Sequence, residues 1–506
     1  MSSISWKQLQ GILHYVGKIT SWAAALMILP LLVAAVYSEW DMFVNFALAM
    51  GIGLSIGFGL QWLPRPKHNL SWLEGMTTVT LSWFVMVIIS AIPLYLSGFY
   101  LSYLDALFDA MSGYTTTGLT LVNNLDYLPY SINMWRQEMC FIGGQGIIVL
   151  VMTFFLGNSP GSLKIYIGEG KTDKIFPNIA HTARAIWWIS ILFLFIGSLS
   201  LGLVGWLEGM APDRAFFHGM WIFMAAWSVA GFAPQSQSLL YYHSAAFELV
   251  TMTFMILGSI NFALHYQVFT GKPKEIWQNI ESRAYAFSML FFLILMYAGF
   301  VIVGAYSDTW SLFRKGFFQL VTSHTGTGYT TLNIADFLDN KGGLLLFASL
   351  IAMLFGGMTG STAGGIKMLR IGILGKGIVQ DIKRLFYPES AVVFSKFHFF
   401  REVVLTDQHV RSAMTISALY LLTFISATGL TAAYGYSFTA AIFEGASVAT
   451  NTGLSVGVTN PAMPTGLKWA YILIMYVARV EFFSFFALVA VIVSSAAKKV
   501  RLRQVG

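Results

Sequence analysis

The chain has 506 residues, of which 56% are hydrophobic and 10% are charged, and its formal net charge is +7. About one residue in four is charged in a soluble domain, so the composition excludes a soluble protein. Continuous apolar runs long enough to cross a bilayer, about 17–25 residues each, recur at 19–37, 43–60, 79–97, 186–204 and 284–306. Because these runs do not alternate with polar residues, they predict an all-α polytopic membrane protein rather than a β-barrel.

The basic residues indicate how the chain is oriented. Counting spans from the N-terminus places 23 of the 30 Lys and Arg residues on one side of the membrane. This asymmetry predicts that both termini are cytoplasmic, and it accounts for the positive charge without nucleic acid as a partner. The single cysteine, Cys140, excludes an intramolecular disulfide and a cysteine-rich metal site.

The first 68 residues hold two apolar runs and no small-residue cleavage site, so they predict an N-terminal pair of transmembrane helices rather than a signal peptide. Beyond them, a polar stretch centred on glycine recurs four times, as SGYTTTGLT, AWSVAGFAP, SHTGTGYTT and VATNTGLSV. The central glycines lie 113, 97 and 125 residues apart, at Gly118, Gly231, Gly328 and Gly453. This spacing predicts four tandem repeats, at 69–160, 161–275, 276–395 and 396–506.

Each glycine stretch follows an apolar segment that is too short to span a bilayer. These segments predict re-entrant half-helices, at 103–114, 214–227, 310–324 and 438–450. We therefore expect each repeat to run in the order outer helix, half-helix, glycine loop, inner helix. Counting membrane spans from the N-terminus predicts that all four loops enter from the extracellular side. We expect them to surround one central pore.

The glycine loops have the composition of a cation selectivity filter. Non-helical backbone at membrane depth is tolerated where it lines a pathway, and its carbonyl groups can replace the hydration shell of a cation. Three residues before each glycine stands a hydroxyl, a neutral oxygen ligand, although the second loop has lost most of its other hydroxyls. The predicted filter residues are Thr115, Thr116, Thr117, Gly118, Ser228, Val229, Ala230, Gly231, Thr325, Gly326, Thr327, Gly328, Thr450, Asn451, Thr452 and Gly453.

A glycine-rich stretch, GGMTGSTAGG at 356–365, interrupts the third inner helix, which is expected to run from Gly342 to Phe355 and to resume at about Ile366. Each glycine costs about 1 kcal/mol against alanine in a helix. The stretch is either a packing kink or a movable plug beneath the filter, with its glycines as hinges. The candidate gating residues in it are Gly356, Gly357, Thr359, Gly360, Ser361, Gly364 and Gly365.

Arg479 stands inside the apolar run at 471–493, with Glu481 two residues further on. An ionisable residue at membrane depth is a functional candidate, since its burial costs at least ~2.5 kcal/mol. Two interpretations are open. Arg479 either forms a structural ion pair, for example with Glu481, or acts as a gating residue whose charge opposes cation passage.

These residues resemble the Trk/Ktr/HKT superfamily of potassium transporters, and within it the bacterial TrkH/TrkG-like membrane subunits. Beyond the four loops, the resemblance is carried by WRQEMCFIGGQGIIVLVM, LGSINFALHY, GGMTGSTAGGIKMLRI and ARVEFF, one from each inner helix. It covers the chain from about residue 70 to the C-terminus, and the first 65 residues match an extra N-terminal helix pair. One departure is Gln145, where the family usually has a hydrophobic residue.

The resemblance implies uptake of K⁺ across the bacterial inner membrane by a homodimer in which each protomer has its own pore. It also implies a cytosolic gating ring of TrkA type that binds nucleotides and NAD, and a plug beneath the filter with Arg479 projecting towards the pore. The chain itself contains no G-x-x-x-x-G-K-[ST] stretch for a nucleotide. The segments 164–184, 272–283 and 367–411 are long enough to receive such a partner.

Other classes fit less well. A secondary transporter typically shows inverted repeats and embedded carboxylates, whereas these repeats run in one direction. A membrane enzyme needs a convergent cluster of catalytic side chains, and none is visible in the sequence. A sodium-permeable relative carries serine in place of the first filter glycine in this family, so Gly118 favours K⁺. Coupling of K⁺ uptake to H⁺ or Na⁺ stays open.

Overall fold

The computed structural model describes residues 6–64, 70–146, 179–304, 308–337, 342–388 and 394–505. Nearly all the regular structure in these ranges is α-helical. Two short strands, β1 (Lys396–His398) and β2 (Glu402–Val404), pair in antiparallel register. The prediction of an all-α polytopic protein with four pore-loop repeats is confirmed.

The N-terminal pair consists of α1 (Trp6–Leu26), which continues into α2 (Ile28–Val36), and of α3 (Trp40–Gln61). Small residues let α1 and α3 approach closely, as is usual between helices in membranes. A Cβ added at Gly57 would overlap the Ser21 hydroxyl, and one added at Gly17 would lie 2.6 Å from the carbonyl oxygen of Gly57.

The remaining helices repeat the predicted order four times. The outer helices are α4 (Trp72–Leu96), α7 (Ile179–Leu207), α12 (Ile280–Val303) and α16 (Asp407–Ala433). The half-helices, called pore helices below, are α5 (Tyr103–Tyr114), α8 (Pro212–Trp227), α13 (Thr309–Thr325) and α17 (Phe438–Thr450). Two of them have the predicted bounds. The other two begin one or two residues earlier than predicted, and α13 also ends one residue later.

The inner helices are mostly built from two pieces. They are α6 (Tyr130–Gln145), α9 (Ala245–Gly258) with α10 (Phe262–Phe269), α14 (Gly343–Leu354) with α15 (Met368–Arg384), and α18 (Thr465–Arg479) with α19 (Phe483–Val505). A short helix, α11 (Lys274–Gln278), precedes α12. The break in the third inner helix lies where the glycine-rich stretch predicts it.

Two further bends are not predicted by the sequence. The second inner helix turns by 100° between α9 and α10. The fourth, expected as one apolar run over 471–493, turns by 114° between α18 and α19. Within the described ranges, six helices are long and apolar enough to cross a membrane, or eight if each bent pair forms one span.

The repeat boundaries remain predictions. Those expected after residues 68 and 160 lie outside the described residues, as do residues 147–152 of the first inner helix and most of the 164–184 segment. The boundary expected after residue 275 falls inside α11, and the one expected after 395 falls at the start of β1.

One large apolar core joins the N-terminal pair, the pore helices and the inner helices. The outer helices also contribute to this core, but their other faces expose apolar side chains, for example Phe287 (73% exposed) and Ile294 (62% exposed) on α12. Such surfaces suit contact with lipid, and the core places the four pore helices at the centre of the molecule.

Candidate cation pathway

The pore helices begin on one side of the molecule, called the outer side below, and end at the glycine loops. The first turns of three of them are stabilised by capping side chains. Ser102 and Ser437 accept from the N–H groups of Asp105 and Ala440, and Asp308 accepts from Ser311. This backbone hydrogen bond from Ser311 lowers the pKa of Asp308, the exposed cap of α13. Each helix directs its C-terminal end, which carries about half a negative charge, towards the loop.

The four glycine loops share one backbone conformation. Each central glycine has a positive φ, with values of 87°, 71°, 92° and 85° in chain order. The residue two positions earlier also has a positive φ in every loop, namely Thr116, Val229, Gly326 and Asn451. The N–H group of the next residue donates five residues back, to Ser112, Ala225, Thr322 and Ser447 in turn. The loops are therefore structural equivalents, including the second loop with its few hydroxyls.

The loops close into a ring through their glycines. A Cβ added at Gly118 would overlap the carbonyl oxygen of Ala230, and one added at Gly231 would overlap that of Thr327. The same relation joins the third loop to the fourth and the fourth back to the first, through Gly328 with Thr452 and Gly453 with Thr117. Only glycine permits so close an approach of neighbouring backbones.

The central glycines are also where the loops meet solvent-accessible space. All four are partly exposed, whereas the three residues before each of them are buried. At the ring it is therefore backbone, rather than side chains, that the loops present to accessible space. Carbonyl oxygens in such a ring are suited to a partly dehydrated cation.

The hydroxyls three residues before the glycines stabilise the ends of the pore helices, and their predicted part in holding a cation stays a prediction. Each is buried and donates its proton, at 2.7 Å, to the carbonyl four residues back in its pore helix. In three loops its oxygen also lies 2.7–2.8 Å from a second threonine hydroxyl. These groups saturate carbonyls at the helix end. The residues concerned are Thr115, Ser228, Thr325 and Thr450.

The glycine-rich loop between α14 and α15 lies directly against the inner side of the ring. A Cβ added at Gly364 would overlap the carbonyl oxygen of Thr450, at the end of the fourth pore helix. The Thr362 hydroxyl lies 2.9 Å from the carbonyl oxygens of both Trp227 and Gly258, which end the second pore helix and α9. The loop thus contacts the ends of two pore helices.

The candidate gating glycines hold this loop compact. A Cβ added at Gly356 would overlap the carbonyl oxygen of Gly364, and one added at Gly357 would lie 2.7 Å from the Ala363 side chain. Gly360 and Gly365 each have a φ of 68°. The loop is held from outside by Glu281 on α12, which accepts from the backbone N–H of Thr359 at 2.7 Å. Within the loop, the Ser361 hydroxyl donates to the carbonyl of Met358.

Arg479 connects the glycine-rich loop to the first inner helix. Its guanidinium donates to the carbonyl of Thr362 at 2.8 Å and to those of Gly143 and Gly144 at 2.6 and 3.1 Å. Glu481, the ion-pair partner considered from the sequence, accepts a hydrogen bond from Arg370 on α15 at 2.5 Å. Arg479, at the end of α18, therefore links the fourth inner helix to the first inner helix and to the glycine-rich loop of the third.

A cavity next to the loop is lined by a second positively charged side chain, that of Lys367, whose role the sequence analysis did not predict. Its lining includes Gly360, Gly364 and Arg479 together with Lys367, whose ammonium group donates to the carbonyl of Ala363. Lys367 is only 7% exposed. The signal for it in the sequence was its position two residues after the glycine-rich stretch. The side chains of Lys367 and Arg479 bring two positive charges to this cavity and Glu481 brings one negative charge, so the net charge that a passing cation meets there is positive.

Comparison with known proteins identifies cation transporters as relatives of this chain. A family model described as a cation transport protein, TrkH, matches residues 44–499. A cation transporter of Methanocaldococcus jannaschii is 32% identical over 476 residues, covering 94% of each chain. The Trk system potassium uptake protein TrkH of Escherichia coli K12 is 29% identical, covering 95% of this chain and 98% of its own.

The fold is shared as well. The crystal structure of the potassium transporter TrkH from Vibrio parahaemolyticus superposes with a TM-score of 0.81 at 29% identity, over 95% of this chain and 98% of that one. These proteins are transporters rather than enzymes. The family match extends over most of the sequence, including all four glycine loops, and this chain belongs to the TrkH family of cation transport proteins.

Proposed function

We propose that this protein takes up K⁺ across the bacterial inner membrane through the passage lined by the four glycine loops. The observation that carries the proposal is the closed ring of loop backbones, in which every central glycine abuts the carbonyl of the next loop. In each loop the central glycine is partly exposed, whereas the three residues before it are buried. Such a ring presents carbonyl dipoles to an ion without a fixed charge, as K⁺ filters do.

The glycine-rich loop and Arg479 form the gate in this proposal. The loop lies against the inner side of the ring, and Arg479 fastens it to the first inner helix by three hydrogen bonds to carbonyls. Opening then requires the loop to move off the ring, and the glycines that kept it compact serve as hinges. Transport is passive through a gated pore.

The assembly belongs to the proposal too. Two protomers form a homodimer, each with its own pathway, and a cytosolic ring of TrkA type binds nucleotide and NAD and controls the gate. The cytoplasmic side is that of α15 and the β1–β2 hairpin, so both termini are cytoplasmic. Support comes from α15, which leaves the glycine-rich loop and carries exposed basic side chains at Lys376 and Lys383.

The test is reconstitution of the purified protein in liposomes, with uptake of radioactive Rb⁺ as a tracer for K⁺. We expect uptake to follow the Rb⁺ gradient and the voltage, with Na⁺ competing weakly. Uphill accumulation of Rb⁺ driven by a proton or sodium gradient alone contradicts passive transport. Equal transport of Na⁺ and Rb⁺ contradicts K⁺ as the substrate.

A further inference from the structure

The residue nine positions before the central glycine differs among the four pore helices. It is Asp109 in the first, Ile222 in the second, Gln319 in the third and Glu444 in the fourth. The four positions are equivalent, because the pore helices and loops share one backbone conformation. Asp109 and Glu444 are both fully buried, so each carboxylate needs hydrogen-bond donors within the protein.

Both carboxylates accept the N–H group three residues after the glycine. Asp109 Oδ1 lies 3.2 Å from the nitrogen of Leu121, and Glu444 Oε2 lies 3.1 Å from that of Val456. Each bond joins the middle of a pore helix to the segment that follows the central glycine on the outer side. This segment is not a β-strand, but it is called the outer strand, or strand, below. The strand is therefore fixed at both ends, by the loop before it and by the carboxylate behind it.

The remaining acceptor capacity of both carboxylates is also used. Asp109 Oδ2 accepts from the Tyr100 hydroxyl at 2.8 Å and from Arg136 Nε at 3.0 Å. Glu444 Oε1 accepts from the Ser455 hydroxyl at 2.9 Å and from both the N–H and the hydroxyl of Thr459, at 2.9 and 2.5 Å. A carboxylate can accept about four such bonds, whereas an amide has one acceptor oxygen.

The second repeat lacks both halves of this arrangement. Ile222 has no acceptor in its side chain, and the equivalent of Leu121 is Pro234, which has no N–H group to donate. Its outer strand is held through carbonyls instead. The carbonyl of Phe232 accepts from the Gln137 amide at 3.0 Å and from the Tyr329 hydroxyl at 3.2 Å, and both residues belong to neighbouring repeats.

The third repeat provides an internal comparison. Gln319 is buried, and its amide nitrogen donates back to Ser323 in its own helix at 3.4 Å. Its amide oxygen has no hydrogen-bond partner among the described residues. The third position thus keeps a polar side chain of similar size to Glu444 without the bond to the strand.

We infer that Asp109 and Glu444 are positioning residues that set the ion selectivity of the pathway. They fix the strands that follow the first and fourth central glycines, and so fix the direction of the adjoining carbonyl groups. Discrimination between K⁺ and Na⁺ depends on the size and dipole field of such a carbonyl ring. The inference rests on the proposed K⁺ pathway.

Glu444→Gln is the sharper test, because Asp109 is also the ion-pair partner of Arg136 at 3.0 Å and its removal leaves a buried charge alone. Glutamine keeps the size of the side chain, but its NH₂ group replaces one of the two acceptor oxygens. It then faces either the N–H of Val456 or the donors of Ser455 and Thr459, and it cannot accept from them. We expect the ratio of Rb⁺ to Na⁺ uptake, measured in liposomes per folded protein, to fall about tenfold, which corresponds to about 1.4 kcal/mol.

Two control variants separate selectivity from folding. Glu248→Gln removes an equally buried carboxylate that pairs with Arg314 and Lys315, away from the strands that leave the filter. Gln319→Leu changes the equivalent position in the third repeat. Both are expected to keep the wild-type uptake ratio. A folded Glu444→Gln protein with the wild-type ratio overturns the inference.

A milder variant covers the case in which Glu444→Gln does not accumulate. Ser455→Ala combined with Thr459→Val removes two hydroxyl donors from Glu444 and leaves the charge in place. We expect its uptake ratio to fall in the same direction by a smaller factor, and an unchanged ratio overturns the inference. Absence of selective Rb⁺ uptake by the wild-type protein contradicts the proposed function instead, so the two failures are distinct.

Discussion

Val229 adopts a backbone conformation that β-branched residues rarely occupy, with a φ of 55°. Thr116 in the first loop has the same feature, with a φ of 57°. Such strain persists only where the surrounding structure imposes it, and it concentrates at functional sites. Here the imposed feature is the loop conformation itself, which the second loop keeps even though its sequence, SVAGFA, has lost the threonines.

The central glycines give the first prediction. In Gly118→Ser the new Cβ meets the carbonyl oxygen of Ala230 in the neighbouring loop, so the ring must open locally. We expect the preference for K⁺ over Na⁺ to fall by about tenfold or more, a change of about 1.4 kcal/mol. Competition between Na⁺ and radioactive Rb⁺ in liposomes measures it, and the other three glycines are expected to behave alike.

Gly457→Ser is the matched control for that change. Gly457 also has a positive φ, of 97°, and lies in the same repeat as Gly453, but an added Cβ there meets no atom within 4 Å. It shares the backbone strain without the contact between loops. Unaltered selectivity in serine variants at all four central glycines is incompatible with a filter at this ring.

Arg479 gives the second prediction. A cation at ~4–6 Å from its charge meets a repulsion of a few kcal/mol at an effective dielectric constant of ~20. Arg479→Ala removes this repulsion and the three bonds to carbonyls of the loop and the first inner helix. We expect Rb⁺ flux per folded protein to rise about tenfold or more, with Glu481 still bonded to Arg370.

Arg479→Lys separates the charge from the tether. Lysine keeps the positive charge, but a single ammonium group cannot reproduce the forked contacts to Thr362 and Gly143. Flux near the wild-type value then assigns the barrier to the charge, and flux near that of Arg479→Ala assigns it to the tether. Loss of protein in Arg479→Ala without a gain in flux rules out both roles in gating.

At the scale of elements, the proposed gate is the glycine-rich loop between α14 and α15. Gly364 lies against the carbonyl of Thr450, so a side chain at this position must push the loop off the ring. Overpacking of this kind costs about 1–3 kcal/mol. That penalty falls on the blocked arrangement alone.

Gly364→Ala is therefore expected to raise Rb⁺ flux, by about tenfold for each 1.4 kcal/mol lost from the blocked arrangement, and to leave the K⁺ over Na⁺ preference unchanged. The control is Gly343→Ala at the start of α14, where an added Cβ meets no atom within 4 Å. Unaltered flux in Gly364→Ala reduces the loop to a packing kink.

The sequence could predict those elements that composition and periodicity determine. Short apolar segments before glycine identified the pore helices to within two residues, and five glycines in ten positions identified the break before α15. The 114° bend after α18 gave no such signal, because it contains neither glycine nor proline. There Glu481 and Phe482 adopt φ values of 50° and 71°, in a segment held by Arg370 and Arg479. Long-range contacts of this kind do not appear in a local pattern.

At the scale of the whole molecule, function depends on which side of the membrane each face occupies. The pore helices enter from one side, and the glycine-rich loop, the proposed gate, lies on the other. If the outer side is extracellular, an incoming ion meets the filter before the gate, and a cytosolic partner can reach the gate through α15. The excess of basic residues on the inner side supports this orientation.

The last prediction tests this orientation with single cysteines. Cys140 is fully buried and is the only cysteine, so Cys140→Ala gives a background without thiols. Asn123→Cys places a thiol in the exposed loop after the first filter strand, and Lys383→Cys places one in the exposed end of α15. We expect a membrane-impermeant maleimide to label Asn123→Cys in intact cells and Lys383→Cys only after the membrane is disrupted. Because each variant serves as the other's control for reactivity, the reverse pattern means that the filter faces the cytoplasm, and both the uptake direction and the docking of a cytosolic ring at α15 are then wrong.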